Sequence, residues 1–189
     1  MRIAQWILAP LALLLLTGAA MPLRYVVDPA GSNVSAKVGF LGIGSKTAGF
    51  PDMSGTAQIQ PDRLDSLALD VSLDARSLTA PDKLTLSRLR GEKFFWVEKY
   101  PTVRFVGSTL KMTGDRRGLV DGKLTARGVT QPVQLAVTFD TPPASAKRGQ
   151  PLTIRGETTI NRRDFGMKSY SLIVGKNVTI KLKARMVPR

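Results

Sequence analysis

The sequence predicts an all-β protein of about eight strands, interrupted by one short helical segment near residues 82–97. Three observations carry this reading. Apolar and polar residues alternate in one short run after another, the pattern of strands with one buried face. Gly, Pro, Asp and Asn separate the runs at short intervals, as turns between consecutive antiparallel strands require. In a single stretch the period changes to that of a helix.

The chain begins its alternating body at Arg24–Asp28, and Pro29-Ala30-Gly31 ends that first short strand. From Asn33 to Phe40, residues Val34, Ala36, Val38 and Phe40 fall on one face. Leu41–Ser45 is a glycine-rich bend, and 47–50 and 55–59 read as edge or hairpin segments about the turn residue Asp52. Leu67–Leu73 is the clearest strand, with Leu67, Leu69, Val71 and Leu73 on one side. Further strands are expected over 103–112, 119–127, 133–139 and 152–160. The last strand carries Val178, Ile180, Leu182 and Ala184 on its apolar face. Gly128–Pro132 is read as a turn and Thr141–Pro151 as an exposed loop. Gly107, Gly122, Gly128 and Gly156, in or beside strands, suggest bulges or close packing of the wall. Short turns suggest an up-and-down sheet closed into a barrel; a β-sandwich has the same strand count.

The helical stretch starts at Asp82, a residue whose side chain accepts backbone N–H bonds at a helix start. Leu86 and Leu89 stand at helical spacing and Gly91 ends the first turns. Phe94, Phe95 and Trp96 follow, and Tyr100-Pro101 stops the segment. Three adjacent large aromatics cannot share one direction, so the segment must pack against more than one surface, as a lid or side plug on the β body.

Residues 1–20 read as a cleaved secretory signal: Arg2, an apolar run over 3–16, then Gly18-Ala19-Ala20. Cleavage there makes Met21 the first residue of a single domain, 21–189. The whole chain holds 28 Lys and Arg against 14 Asp and Glu, a net charge of +14. Such a surface favours anionic partners: membrane headgroups, a pyrophosphate or nucleic acid. Export argues against nucleic acid, and the cations are scattered among strands without an aromatic platform. With no cysteine and no histidine, the chain lacks disulfides, thiolate chemistry and the commonest general base and metal ligand. No glycine run follows a strand and opens a helix as a phosphate loop would. Asp70 and Asp74, four apart on one strand, face away from its apolar side, an arrangement that argues against a carboxylate-based enzyme.

Five stretches in order resemble the YceI-like, polyisoprenoid-binding family of exported bacterial proteins. They are YVVDPAGSNVSAKVGFLGIGSKTAGF (25–50), LRGEKFFWVEKYPTVRF (89–105), DGKLTARGVTQPVQLAV (121–137), INRRDFGM (160–167) and VGKNVTIKLKA (174–184). The resemblance implies an extended, lipocalin-like antiparallel barrel with a helical segment alongside. It implies a long apolar cavity for a polyisoprenoid or an isoprenoid quinone, a periplasmic location and no catalysis. The chain departs from the family pattern where members often carry two histidines, here Gly31 and Phe40, and a carboxylate, here Trp96.

On that reading the inward strand faces supply the lining: Val38, Phe40, Leu69, Val71, Phe105, Leu135, Val137 and Ile180. The alternative is a solid core filled by the same side chains. Phe94, Phe95 and Trp96 are candidates to close the barrel over a ligand, or simply pack a helix on the sheet. Arg162, with Asn161 beside it, is the candidate for an anionic head group, because a planar guanidinium matches phosphate oxygens. The alternative is a turn held by the Asn161 and Asp164 side chains, with Arg162 paired to a carboxylate. No catalytic residue, metal or cofactor is expected beyond the bound lipid; transient contact with an anionic membrane surface is. Exposed strand ends also leave room for a homodimer.

Overall fold

The computed structural model describes residues 21–189; the expected signal segment lies outside the described residues. Nine strands form one antiparallel sheet closed on itself: β1 (Leu23–Phe40), β2 (Gly44–Phe50), β3 (Met53–Ile59), β4 (Ala68–Asp74), β5 (Thr102–Met112), β6 (Arg117–Ala126), β7 (Val129–Phe139), β8 (Leu152–Asn161) and β9 (Val174–Pro188). β1 pairs with both β2 and β3, each strand from β3 to β9 pairs with the next in sequence, and β1 pairs with β9 to close the ring. The barrel has eight staves. β2 and β3 occupy the same edge of β1, with Val34 opposite Phe50 and Leu23 opposite Ile59, so they act as one stave broken at Pro51-Asp52.

Two expectations need correction here. The first strand does not end at Pro29: β1 continues to Phe40 through a register shift between Asp28 and Asn33. The detour is tied to β9. Ser32 Oγ donates to the Asp28 carbonyl (2.7 Å), the Arg185 N–H donates to Ser32 Oγ (2.9 Å), and Arg185 pairs with the Asp28 carboxylate (2.8 Å). The turn expected over 128–132 shrinks to Arg127-Gly128, with both residues left-handed, and β7 carries Pro132. β8 pairs only with the far half of β7, Ala136–Phe139. Pro132 therefore lies where the strand has a free edge and a missing N–H costs least.

The helix α1 (Lys83–Arg90) lies beside β2 and has no fully buried residue. Asp82 caps it, accepting from the Thr85 N–H at 2.7 Å and from Lys46 Nζ at 2.9 Å. The segment that precedes it covers the outer edge of β2, where Gly49 and Thr79 exchange backbone hydrogen bonds. After Gly91 the chain runs in hydrogen-bonded turns to Pro101.

Asp82 gives a first prediction. The Thr85 N–H, then Lys46 and the Thr85 hydroxyl, hold its carboxyl well below the usual carboxylate range. A depressed folded value means that the stabilisation is present above the unfolded pKa of about 3.9 and is lost as pH falls below it. The thermal midpoint should therefore drop on acidification below about pH 4. The drop should be smaller in Asp82→Asn, whose cap does not titrate; equal drops in both proteins would remove Asp82 as the source.

Candidate functional site

Small barrels are usually filled by the side chains that point inward. Here the inward faces leave an internal channel. Every stave contributes to its wall, and Thr158 and Arg162 are its only polar members among the described residues. Leu69, Val71 and Leu73 show the distinction: they face the interior on β4, yet are only half-buried. Side chains packed in a solid core would be fully covered.

The channel is narrow. Its wall on β5 runs from Val103 to Leu110. That is about 23 Å along a strand, or roughly 18 Å along the axis of a barrel whose strands tilt by about 40°. About 180 Å³ is open to the centre of a water-sized sphere. The channel wall offers apolar side chains along nearly the whole of its length.

Of the lining residues expected from sequence, Leu69, Val71, Phe105, Leu135, Val137 and Ile180 stand on the channel wall. Val38 and Phe40 do not. Both lie beyond Ala36 toward the β1–β2 turn, where β1 runs between β2 and β9. Phe40 instead carries Lys46 Nζ 5.5 Å from its ring centre. Sequence reading passed over Val34, Ala36, Met53, Ile154 and Leu182, which also line the channel. Val34, Ala36 and Leu182 lay on recognised apolar faces; Met53 follows the Pro51-Asp52 turn and gave no such signal.

The three aromatics after α1 take three directions. Phe95 reaches the channel and meets Phe50 edge to face, with ring centres 5.6 Å apart. Phe94 is buried outside the channel, stacked on Tyr170 at 5.9 Å. Trp96, in a left-handed conformation (φ 49°), lies against Tyr100 under the Lys99 ammonium. Only Phe95 stands on the channel wall; Phe94 and Trp96 do not.

At the same end stands Arg162, 3% exposed. Its Nε donates to the Gly175 carbonyl (2.8 Å), Nη2 to Val174 (2.9 Å) and Nη1 to Met167. It has no carboxylate partner among the described residues, so the expected ion pair is replaced by three backbone carbonyls. Burial, and then the charge of Arg163, lower its pKa from the ordinary arginine value. Asn161 does not face the channel. Its Oδ1 caps the short 3-10 turn Arg162–Phe165 by accepting from the Arg163 N–H, and its Nδ2 donates to Asp164. The result is one buried positive charge at the end of an otherwise apolar passage.

The two acids considered for catalysis are occupied on the outside. Asp70 accepts from Arg104 (2.8 Å), and Asp74 caps the turn Ala75–Ser77 while binding Arg76. No group of three potential metal ligands occurs among the described residues.

A closed antiparallel barrel around an apolar cavity is a lipocalin-like architecture. More specifically, the chain belongs to the YceI-like family, whose domain matches residues 25–186. A UPF0312 protein of Pseudomonas savastanoi pv. phaseolicola is 32% identical over 166 residues, spanning 85% of this chain and 86% of its own. Among solved structures, Burkholderia cenocepacia BcnA superposes with a TM-score of 0.74 at 26% identity, over 84% of this chain and 98% of that one. A polyisoprenoid-binding domain from Saccharophagus degradans shares the fold, with a TM-score of 0.66 at 14% identity over 88% and 99% of the two chains.

Proposed function

We propose that this protein is a non-catalytic periplasmic carrier that holds an isoprenoid lipid, a polyisoprenoid or the tail of an isoprenoid quinone, inside the barrel. The observation that carries this reading is the internal cavity, lined from every strand and almost wholly apolar. An apolar tail is held by area, at about 0.8 kcal/mol per buried methylene before losses in tail entropy. The buried charge of Arg162 gives the ligand a polarity, with an anionic or carbonyl-bearing head drawn to that end. The polyisoprenoid-binding domain of the same fold supports the ligand class. The net charge of +14 supports loading and release at an anionic membrane surface.

The test is purification from the native periplasm, organic extraction and mass spectrometry of the extract. A stoichiometric isoprenoid is the expected result, and its head group identifies what Arg162 meets. An empty protein that also fails to take up added polyprenol or quinone would overturn the carrier reading.

A further inference from the structure

The two ends of the barrel differ in a way that lipid capture inside it does not require. One end carries the β1–β2 turn, α1 and the loop from Arg162 to Lys176; the other carries the β3–β4, β5–β6 and β7–β8 connections. At the first end, residues 37–47, 82–93 and 162–176 contain ten lysines and arginines and three acids. At the second, residues 60–67, 113–116 and 140–151 contain four of each. Among these segments the first end carries the larger excess of positive charge, with Arg162 buried and with Arg24, Lys111, Arg117 and Arg189 adding cations near the second.

Exposed aliphatic side chains gather on the same end. Leu172 is 100% exposed, Ile43 97%, Leu84 61% and Leu41 56%. Among the described residues only Met21 and Val106 join them as large exposed apolar groups, and neither is on these loops. The tips form one surface. The Leu41 N–H donates to the Ile173 carbonyl at 2.8 Å, which joins the β1–β2 turn to the 170–173 loop. Lys46 pairs with Asp82 and ties that turn to α1. Arg88 of α1 lies 5.5 Å from the Tyr170 ring centre. Leu41 and Tyr170 are both held at positive φ, 55° and 57°, conformations that side chains larger than glycine rarely adopt. Local backbone preference therefore does not explain this presentation of Leu41.

Aliphatic tips ringed by cations suit one kind of partner, an anionic bilayer. The side chains enter the boundary between headgroups and acyl chains while lysine and arginine remain at the phosphates. We infer that this end of the barrel is a membrane-docking surface, with Ile43 and Leu172 as its inserting residues. The inference deepens the carrier reading and rests on it for its purpose: it sets the Phe95 and Arg162 end of the channel against the lipid reservoir.

The experiment is vesicle flotation of the chain beginning at Met21, which contains every described strand. Vesicles of phosphatidylglycerol with phosphatidylethanolamine are compared with vesicles of phosphatidylcholine alone. Binding to the anionic vesicles is expected, and it should weaken with added salt. Ile43→Ser with Leu172→Ser should weaken it by roughly tenfold per residue. Lys168→Glu with Lys176→Glu should weaken it far more than Lys147→Glu with Arg148→Glu, which changes net charge equally at the other end. Equal losses from the two charge pairs, or undiminished binding by the serine variant, would overturn the docking surface. So would a native dimer in sedimentation that the serine variant dissociates, since the apolar tips would then face a second copy. Uptake of polyprenol from detergent separates the two readings. Docking variants that still load show the surface distinct from the channel, whereas a protein that docks but never loads refutes the carrier alone.

Discussion

Val71→Trp is expected to reduce isoprenoid uptake by at least a hundredfold with the barrel still folded. Val71 sits mid-strand on β4, half-buried, with its side chain on the channel wall. The cavity is small, about 180 Å³, so a single indole projecting into it removes much of the space a ligand would fill. Tryptophan is the informative replacement because it adds volume without charge. An arginine at the same place would also have to be desolvated, at a cost of several kcal/mol, and loss of binding could then reflect loss of folding. Overpacking by an apolar ring costs about 1–3 kcal/mol where there is no room, and less where it fills a void. Thermal unfolding should therefore shift by only a few degrees. Ser72→Trp, next on the same strand and facing out, is the control. Undiminished uptake by a folded Val71→Trp protein would mean that the ligand does not pass through this part of the barrel.

Arg162→Met is expected to lower the thermal midpoint by roughly 10 °C. Its guanidinium donates to three carbonyls, those of Met167, Val174 and Gly175, and so folds the loop between β8 and β9 back onto the end of β8. Hydrogen bonds from a charged donor are worth about 1.5–3 kcal/mol each, and three abandoned buried carbonyls bring the loss to about 3–5 kcal/mol. For a domain of this size each kcal/mol shifts the midpoint by about 2–4 °C. Arg162→Lys keeps the charge but not the planar fork, and should recover only part of the loss. A fall of less than about 3 °C in Arg162→Met would show that the carbonyls find other donors.

These two residues mark how far the fold and the site can be read from sequence. Val71 was legible because alternation is local: once β4 is a strand, parity alone puts Leu69 and Val71 on one face. Parity does not give height along the barrel. Val38 continues the face of Val34 and Ala36, but whether it lies within the channel depends on the stagger of β1 against β2 and β9. Pairing across distant segments sets that stagger. For the same reason β1 looked like two strands. What carries it through residues 29–32 is Arg185, far away in sequence. Arg162 was visible as a cation on an irregular link, but its partners are backbone carbonyls, which every residue carries and no pattern reveals. Trp96 is held at positive φ, a conformation that a tryptophan gives no reason to expect, and the separate directions of Phe94, Phe95 and Trp96 have no signal in the sequence. Whether the interior is open or solid depends on the sum of many side-chain volumes against the girth of the barrel. No single position encodes that sum.

The closure of the ring by β1 and β9 has a consequence for how the molecule is made. Val26 pairs with Val187 and Tyr25 with Pro188, so the first described strand finds its second edge only in the last one. Bringing such distant segments together costs about 4–5 kcal/mol of chain entropy, and no part of the ring repays it early. A topology dominated by non-local pairing of this kind folds slowly. Until β9 is available, β1 and β8 both keep raw edges and the channel has no wall on one side. A nascent chain of this topology cannot close its ring before its final strand is released, and becomes a container only then.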